Sequence, residues 1–194
     1  KKPSKITTFS NYFDKQRFSK NNAEIGKLII KKEFKKAAKL LEKNHYSVKE
    51  YLQKKSTDFV GAIRKLPVKI IMIYLHSYQS LLFNELLNDH IKKYKHKTIK
   101  TDFGELSFPL EEIKQIKFSL IGFETKETSE VIEILKKENI TRRDFIIRQL
   151  PNLSQSGQLR QGFRQISDLK ISNLKDDELN KNKKKIKLTF SLSK

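Results

Sequence analysis

The chain has 194 residues, enough for one or two domains with a real core, and a formal net charge of +20 at pH 7. It contains no cysteine, which excludes a disulfide framework and thiolate metal sites. Its four histidines (His45, His76, His90, His96) stand at no metal-ligand spacing, so no metal is expected.

The longest apolar run, Ile70 to Leu75, is too short to span a bilayer, and no apolar segment follows the lysine-rich N-terminus as a secretory signal requires. The charge is unevenly placed. Residues 1–60 carry a balance of +10, residues 61–100 of +6 and residues 141–194 of +8, whereas residues 101–140 stand at −4. This favours a polyanion bound by the outer segments, with the middle facing away. A composition rich in lysine throughout is the competing explanation.

In chain order, the first distinctive stretch is Phe9-Ser10-Asn11-Tyr12-Phe13-Asp14-Lys15-Gln16-Arg17-Phe18. It has neither a helical nor a strand period. Aromatic faces beside Asn, Gln and Arg suit a pocket that stacks a planar base and bonds its edge. A strand entering a core, with its aromatics buried, is the other reading.

Asn21 with Glu24 then predicts a capped helix start, and Ile25, Leu28, Ile29, Phe34, Ala37, Ala38 and Leu41 mark one apolar face over about five turns. Lysines, among them Lys31, Lys32 and Lys35, fill the other face, either as a solvated surface or as the border of an RNA path.

Ser47 and Glu50 predict a capping box opening a helix to about Asp58. Pro67 suits the first turn of a helix running from Val68 to Leu87, which is apolar nearly all round and so expected to be buried. Its polar residues His76, Gln79, Ser80 and Asn84 need partners, because a buried amide left bare costs about 1–3 kcal/mol. Phe103-Gly104-Glu105 predicts a hairpin turn, Ile116 to Glu124 a strand, Thr128 to Glu138 a helix, and Thr141 with Asp144 a further cap. Asn173 to Lys181 is polar and turn-like, and the alternation from Lys185 predicts a half-buried strand to Leu192.

Several of these segments resemble the TruD family of tRNA pseudouridine synthases. Phe9 to Phe18 resembles its signature G-F-P-N-Y-F-G-x-Q-R-F-G, with Asn11, Tyr12, Phe13, Gln16, Arg17 and Phe18 at matching places. Ser10, Asp14 and Ser19 replace a proline and two glycines, and glycine at such places signals a positive φ or a close backbone approach. Asn22-Ala23-Glu24-Ile25-Gly26 is similar to the segment that follows the signature. His76 to Asn84 resembles H-A-Y-Q-S-Y-L-F-N, with His90 standing where an arginine comes next. Ser119 to Phe123 is similar to P-L-I-G-Y. Gly157 to Arg160 with Ser167 to Leu169 resembles G-x-x-R…K-D-L, and Phe190 to Lys194 resembles F-x-L-P-x.

The resemblance implies an α+β fold, part of a pseudouridine-synthase catalytic domain of mixed helices and antiparallel sheet, with a smaller inserted α+β domain. The expected division is 1–95 and 156–194 for the catalytic part and 96–155 for the insertion. The implied activity is isomerisation of a specific uridine in tRNA or another structured RNA after base flipping, with an aspartate nucleophile and no cofactor or metal. The family's nucleophile lies in a G-x-K-D-R motif upstream of the signature, and no such motif occurs here. Asp14, Asp58, Asp89 and Asp144 lack its neighbours. The chain is therefore expected to be a segment, inactive alone, that also stops before the family's G-S-Y-A-T.

The resemblance implies roles for residues as well. Phe13 would stack on the flipped base and Asn11 would position the base or the nucleophilic carboxylate. Gln16 and Arg17 would support the pocket, Arg17 pairing the nucleophile or a phosphate. His76, Gln79, Ser80 and Asn84 would buttress the cleft. Lys31, Lys32, Lys35, Lys92, Lys93, Arg160, Lys183 and Lys184 are the candidates for the RNA backbone. A monomer in the cytoplasm is expected, the nucleus or an organelle being equally compatible. A catalytically silent RNA-binding relative is the alternative function, and a basic structural protein of an RNA-rich particle a further one.

Overall fold

A computed structural model describes residues 8–19, 21–102 and 104–192. Phe103 of the expected turn, and Ser193 and Lys194 of the C-terminal resemblance, lie outside the described residues. Strand β1 (Thr8–Ser10) leads into the short helix α1 (Lys15–Phe18), which Asp14 caps by accepting from the Lys15 N–H at 2.7 Å.

The helix predicted to run to Leu41 is two helices, α2 (Asn22–Ile30) and α3 (Phe34–Leu41). Asn21 stands at the expected start but makes no side-chain cap. The break comes at Lys32, whose φ of 61 is left-handed. Its N–H donates to the Ile29 carbonyl and that of Glu33 to the Leu28 carbonyl, the paired bonds of a Schellman ending. Glycine usually fills this position. A lysine serves here because its Nζ bonds the carbonyls of Ile30 and Asp144.

Helix α4 (Tyr46–Lys54) starts one residue before the expected Ser47 cap, with His45 at the N-cap and no side-chain capping bond. Asp58 caps α5 (Phe59–Ile63) through the Gly61 N–H at 2.8 Å. Pro67 then opens α6 (Val68–Ile91), a 24-residue helix about 36 Å long that runs through the centre. Leu75, Tyr78, Leu82, Phe83 and Leu87 are fully buried along it, each contributing about 1.5–3 kcal/mol by the area it removes from water. Gly26 lets α2 cross α6 closely: a Cβ there would lie 2.1 Å from the Tyr74 carbonyl oxygen.

Strands β2 (His96–Thr101) and β3 (Gly104–Pro109) form the expected hairpin, with Thr101 opposite Gly104. The strand expected from Ile116 to Glu124 is shorter, β4 (Lys117–Leu120), because Gly122 already turns, its N–H held by Thr125 Oγ1 at 2.8 Å. Helix α7 (Ser129–Glu138) is capped by Thr128, and Thr141 with Asp144 forms the predicted capping box on a 3-10 turn, Arg142–Phe145. Ile121, Val131, Ile134, Leu135, Phe145, Ile147 and Leu153 join α2, α3 and α6 in one apolar cluster. This part of the stretch 96–155 therefore shares the helices' core.

The chain returns through β5 (Gln158–Gln161), antiparallel to β4, and β6 (Phe163–Ile171), which pairs with β1 on one side and β9 (Leu188–Leu192) on the other. The polar stretch after Asn173 contains β7 (Lys175–Asp176), paired with β8 (Lys184–Lys185). The half-burial predicted beyond Lys185 is absent up to Ser191, for Leu188 is 53% exposed and Phe190 43%.

Candidate functional site

Two features of the fold bring the first motif against the second. The β1–β6 pairing sets Ser10 opposite Phe163, and the Asn11 N–H donates to the Gly162 carbonyl at 2.8 Å. From there the chain crosses the middle of α6. Asn84, 3% exposed, grips the backbone of Phe13 at both ends: its Oδ1 accepts from the Phe13 N–H at 2.9 Å and its Nδ2 donates to the Phe13 carbonyl at 2.8 Å. This is the partner the buried amide required.

The Phe13 ring meets the Phe83 ring edge-on at 5.4 Å. The guanidinium carbon of Arg160 lies 4.2 Å from the Phe13 centroid and that of Arg17 lies 5.3 Å away. Arg160 Nη2 donates to Asn11 Oδ1 at 2.9 Å, and Asn11 Nδ2 donates to the Gln161 carbonyl at 2.9 Å. Arg17 Nε donates to Ser80 Oγ at 3.2 Å, and Ser80 in turn bonds the His76 carbonyl at 2.7 Å. Among the described residues no carboxylate bonds Arg17 or Arg160. Burial and the nearby Arg164 and Arg17 charges lower the proton affinity of Arg160, whose buried Nε has no partner among the described residues. The cluster is a set of cations and an aromatic face in need of an anion.

Beside Phe13 lies a cavity of about 420 Å3, walled by Tyr12, Phe13, Leu106 and Phe108 and bordered by Lys15 and Asp102, which pair with each other. Tyr12 meets Phe108 edge-on at 5.6 Å and donates to the Ser107 carbonyl at 2.9 Å. Burial, above all, raises the pKa of Tyr12, so its hydroxyl stays protonated as that donor. Arg17 also borders a second, more polar cavity of about 450 Å3 with His76, Ser80 and Gln155. Burial and the Arg17 charge lower the pKa of His76.

Asn11, Phe13, Arg17, Ser80 and Asn84 are thus brought together. Gln16 is not, for it lies exposed on α1 with no side-chain hydrogen bond among the described residues. Gln79 points elsewhere, donating to the Ile121 carbonyl at 2.8 Å, and so ties α6 to the end of β4. Among the RNA-backbone candidates, Arg160 lies inside the cluster rather than on a groove. Lys32 is bound to Asp144; Lys92, Lys93 and Lys184 pair with Asp89, Glu130 and Asp176. Among the described residues Lys31, Lys35 and Lys183 make no ion pair, and Lys35 and Lys183 are exposed. His90 packs among the rings of Tyr94, Phe118 and Phe163.

Sequence reasoning missed Asn88. Its Oδ1 accepts from the Ser107 N–H at 2.7 Å and its Nδ2 donates to the Glu105 carbonyl at 3.1 Å, fixing the hairpin on α6. The signal was available: Asn84 and Asn88 are four apart and share one helix face. The glycine replacements divide. Asp14 has an ordinary φ of −100, whereas Ser19 has a φ of 44, where glycine would be relaxed. Among the described residues no cluster of His, Cys, Asp or Glu could hold a metal, and no helix is long and apolar enough to cross a membrane.

The model of the family described as tRNA pseudouridine synthase D (TruD) matches residues 41–105. A Nanoarchaeum equitans protein named as a tRNA pseudouridine synthase D is 33% identical over 216 residues, covering 87% of this chain and 55% of its own. A Methanocaldococcus jannaschii protein named as a tRNA pseudouridine synthase D 2 is 27% identical over 243 residues, covering 95% of this chain and 56% of its own. Both alignments are longer than the 194 residues present, so these relatives carry segments within the aligned span that this chain lacks. The crystal structure of a Methanosarcina mazei protein under the TruD name has the same fold, with a TM-score of 0.72 at 21% identity over 94% of this chain and 57% of that one. The chain spans about half the length of these relatives. It belongs to the TruD family.

Proposed function

We propose that this chain is the base-holding part of an RNA pseudouridine synthase that acts on a uridine in tRNA, the substrate in the names of its relatives. One observation carries the reading: Phe13, its backbone clamped by Asn84, faces two arginines that no carboxylate neutralises among the described residues, beside an aromatic-walled cavity. A flipped uracil stacks in that cavity against Phe13. Arg17 and Arg160 take the anions of the reaction, the phosphate next to the uridine and the carboxylate of an aspartate supplied by another part of the protein.

The chemistry is an isomerisation. The N1–C1′ bond breaks, a C5–C1′ bond forms, C5 gives up a proton and N1 gains one, so no oxidant or reductant is consumed. The carboxylate holds C1′ while the base turns. Asn11, oriented by Arg160, borders that reacting sugar. The division into catalytic residues 1–95 and 156–194 around a reduced insertion, a monomeric state and a cytoplasmic setting belong to the same reading.

The test is nucleotide-resolution detection of pseudouridine in tRNA incubated with this chain joined to the part of the protein that supplies the aspartate, and with the Phe13→Ala variant of that protein. Product that vanishes in the variant supports the reading. Product that survives in it removes Phe13 from the site. Salt-sensitive tRNA binding without product identifies a silent relative.

A further inference from the structure

Arg17 links two cavities. Its guanidinium carbon lies 5.3 Å from the ring centroid of Phe13, which walls the cavity of about 420 Å3. Its Nε donates at 3.2 Å to Ser80, which walls the polar cavity of about 450 Å3, a volume within the range of small-molecule sites. Apart from Met72, Leu120 and Gly157, every residue in the wall of the polar cavity is polar or charged. Gln79, Ser80, Ser154 and Gln155 spend their side chains on backbone groups. The half-buried Arg17 and His76 and the exposed Ser156 and Gln158 are left to meet a ligand. We propose that this second cavity receives the nucleotide next to the target uridine, with His76 stacking on its base and Gln158 bonding the base edge. This rests on the reading of the Phe13 cavity as the uracil site.

The connectivity of RNA carries the argument. The phosphate next to the uridine lies on Arg17, and a second nucleotide is joined to that same phosphate. The strand therefore leads from Phe13 past Arg17 to the cavity that Arg17 also borders. Turning the uridine out of its stack strips the neighbouring base of a stacking partner, a loss the protein has to offset. A histidine ring beside polar side chains offers both a stacking face and edge contacts. Burial and the Arg17 charge keep the His76 pKa below its usual value, so near neutral pH the ring is uncharged, with one donor and one acceptor. The Gln158 amide also donates and accepts.

The experiment is a binding measurement, read by fluorescence anisotropy, on the protein that includes the part supplying the aspartate. The probes are short single-stranded RNAs, abasic except for one uridine, with one further base restored on its 5′ side, on its 3′ side or on neither. Wild type is compared with His76→Ala and Gln158→Ala, each first shown by its melting curve to be folded. Gln158 is exposed, so its variant decides the matter should His76→Ala unfold. In wild type a neighbouring base on one side, and only that side, tightens binding by about three- to tenfold. Both variants lose that gain and keep the contribution of the uridine, whereas Phe13→Ala loses the contribution of the uridine. No gain from a neighbour on either side overturns the proposal. So does a gain retained in either folded variant, or equal weakening of all the RNAs. A gain that depends on His76 and Gln158, with a uridine contribution that survives Phe13→Ala, supports the base site in the second cavity and refutes the uracil site in the first.

Discussion

Asn84→Ala tests the clamp on Phe13. The side-chain amide makes two bonds to one residue, accepting from the Phe13 N–H at 2.9 Å and donating to its carbonyl at 2.8 Å. Each bond is worth about 1 kcal/mol net, and stranding both backbone groups at a half-buried site adds to that, so the expected loss of stability is about 2–3 kcal/mol. For a chain of this size that lowers Tm by roughly 4–12 °C. Asn84→Asp can still accept from the N–H but sets an oxygen against the Phe13 carbonyl, so it recovers at most one bond. Urea unfolding measures the stability, and RNA binding measures the consequence for the site. If Asn84 acts through the Phe13 ring, the effects of Asn84→Ala and Phe13→Ala on binding are not additive. A loss under about 0.5 kcal/mol, or fully additive binding effects, would refute the clamp, since a surface substitution costs that little.

Ser19→Gly should raise stability by about 1 kcal/mol, the relief of a non-glycine residue at φ 44 exceeding the added freedom of the unfolded chain; lower stability in urea would show that the serine is not strained. Gly26→Ala should cost more than about 2 kcal/mol, because its Cβ would meet the Tyr74 carbonyl oxygen and force α2 off α6, and an unchanged Tm would contradict that crossing. Lys32→Ala should lower stability by about 1–2 kcal/mol while leaving the salt dependence of RNA binding intact, its Nζ being committed to the Ile30 and Asp144 carbonyls; a salt slope reduced by about one would restore it to the RNA surface. Burial, reinforced by Arg17 at His76 and by Lys93 at His90, lowers both histidine pKa values below 6.5. The unfolded chain then binds more protons than the folded one, so stability falls as pH drops through about 6.5 and is unaffected above it. Tm followed from pH 8 to 5.5 should bend there, and less in His76→Gln.

The sequence by itself determined what is local. Pro67, the unbroken apolar surface from Val68 onward and the Thr128 and Thr141 caps specify their elements through neighbours a few residues away. The resemblance of two motifs likewise grouped Asn11, Phe13, Gln16 and Arg17 with His76, Gln79, Ser80 and Asn84, and of these the fold brings Asn11, Phe13, Arg17, Ser80 and Asn84 together. Only the tertiary structure decided what depends on distant partners. Lys31 and Lys32 continue a helical pattern, yet the chain breaks there because Asp144, more than a hundred residues later, receives the Lys32 amine. Arg160 reads as one more surface cation and becomes the group stacked on Phe13 because β5 leads directly into the strand that pairs with β1. Gln16 reads as part of the signature and faces solvent because α1 turns Arg17 inward to Ser80 instead. That the buried Ser10 hydroxyl has no partner among the described residues is invisible in the sequence, for a missing partner is a property of everything packed around it.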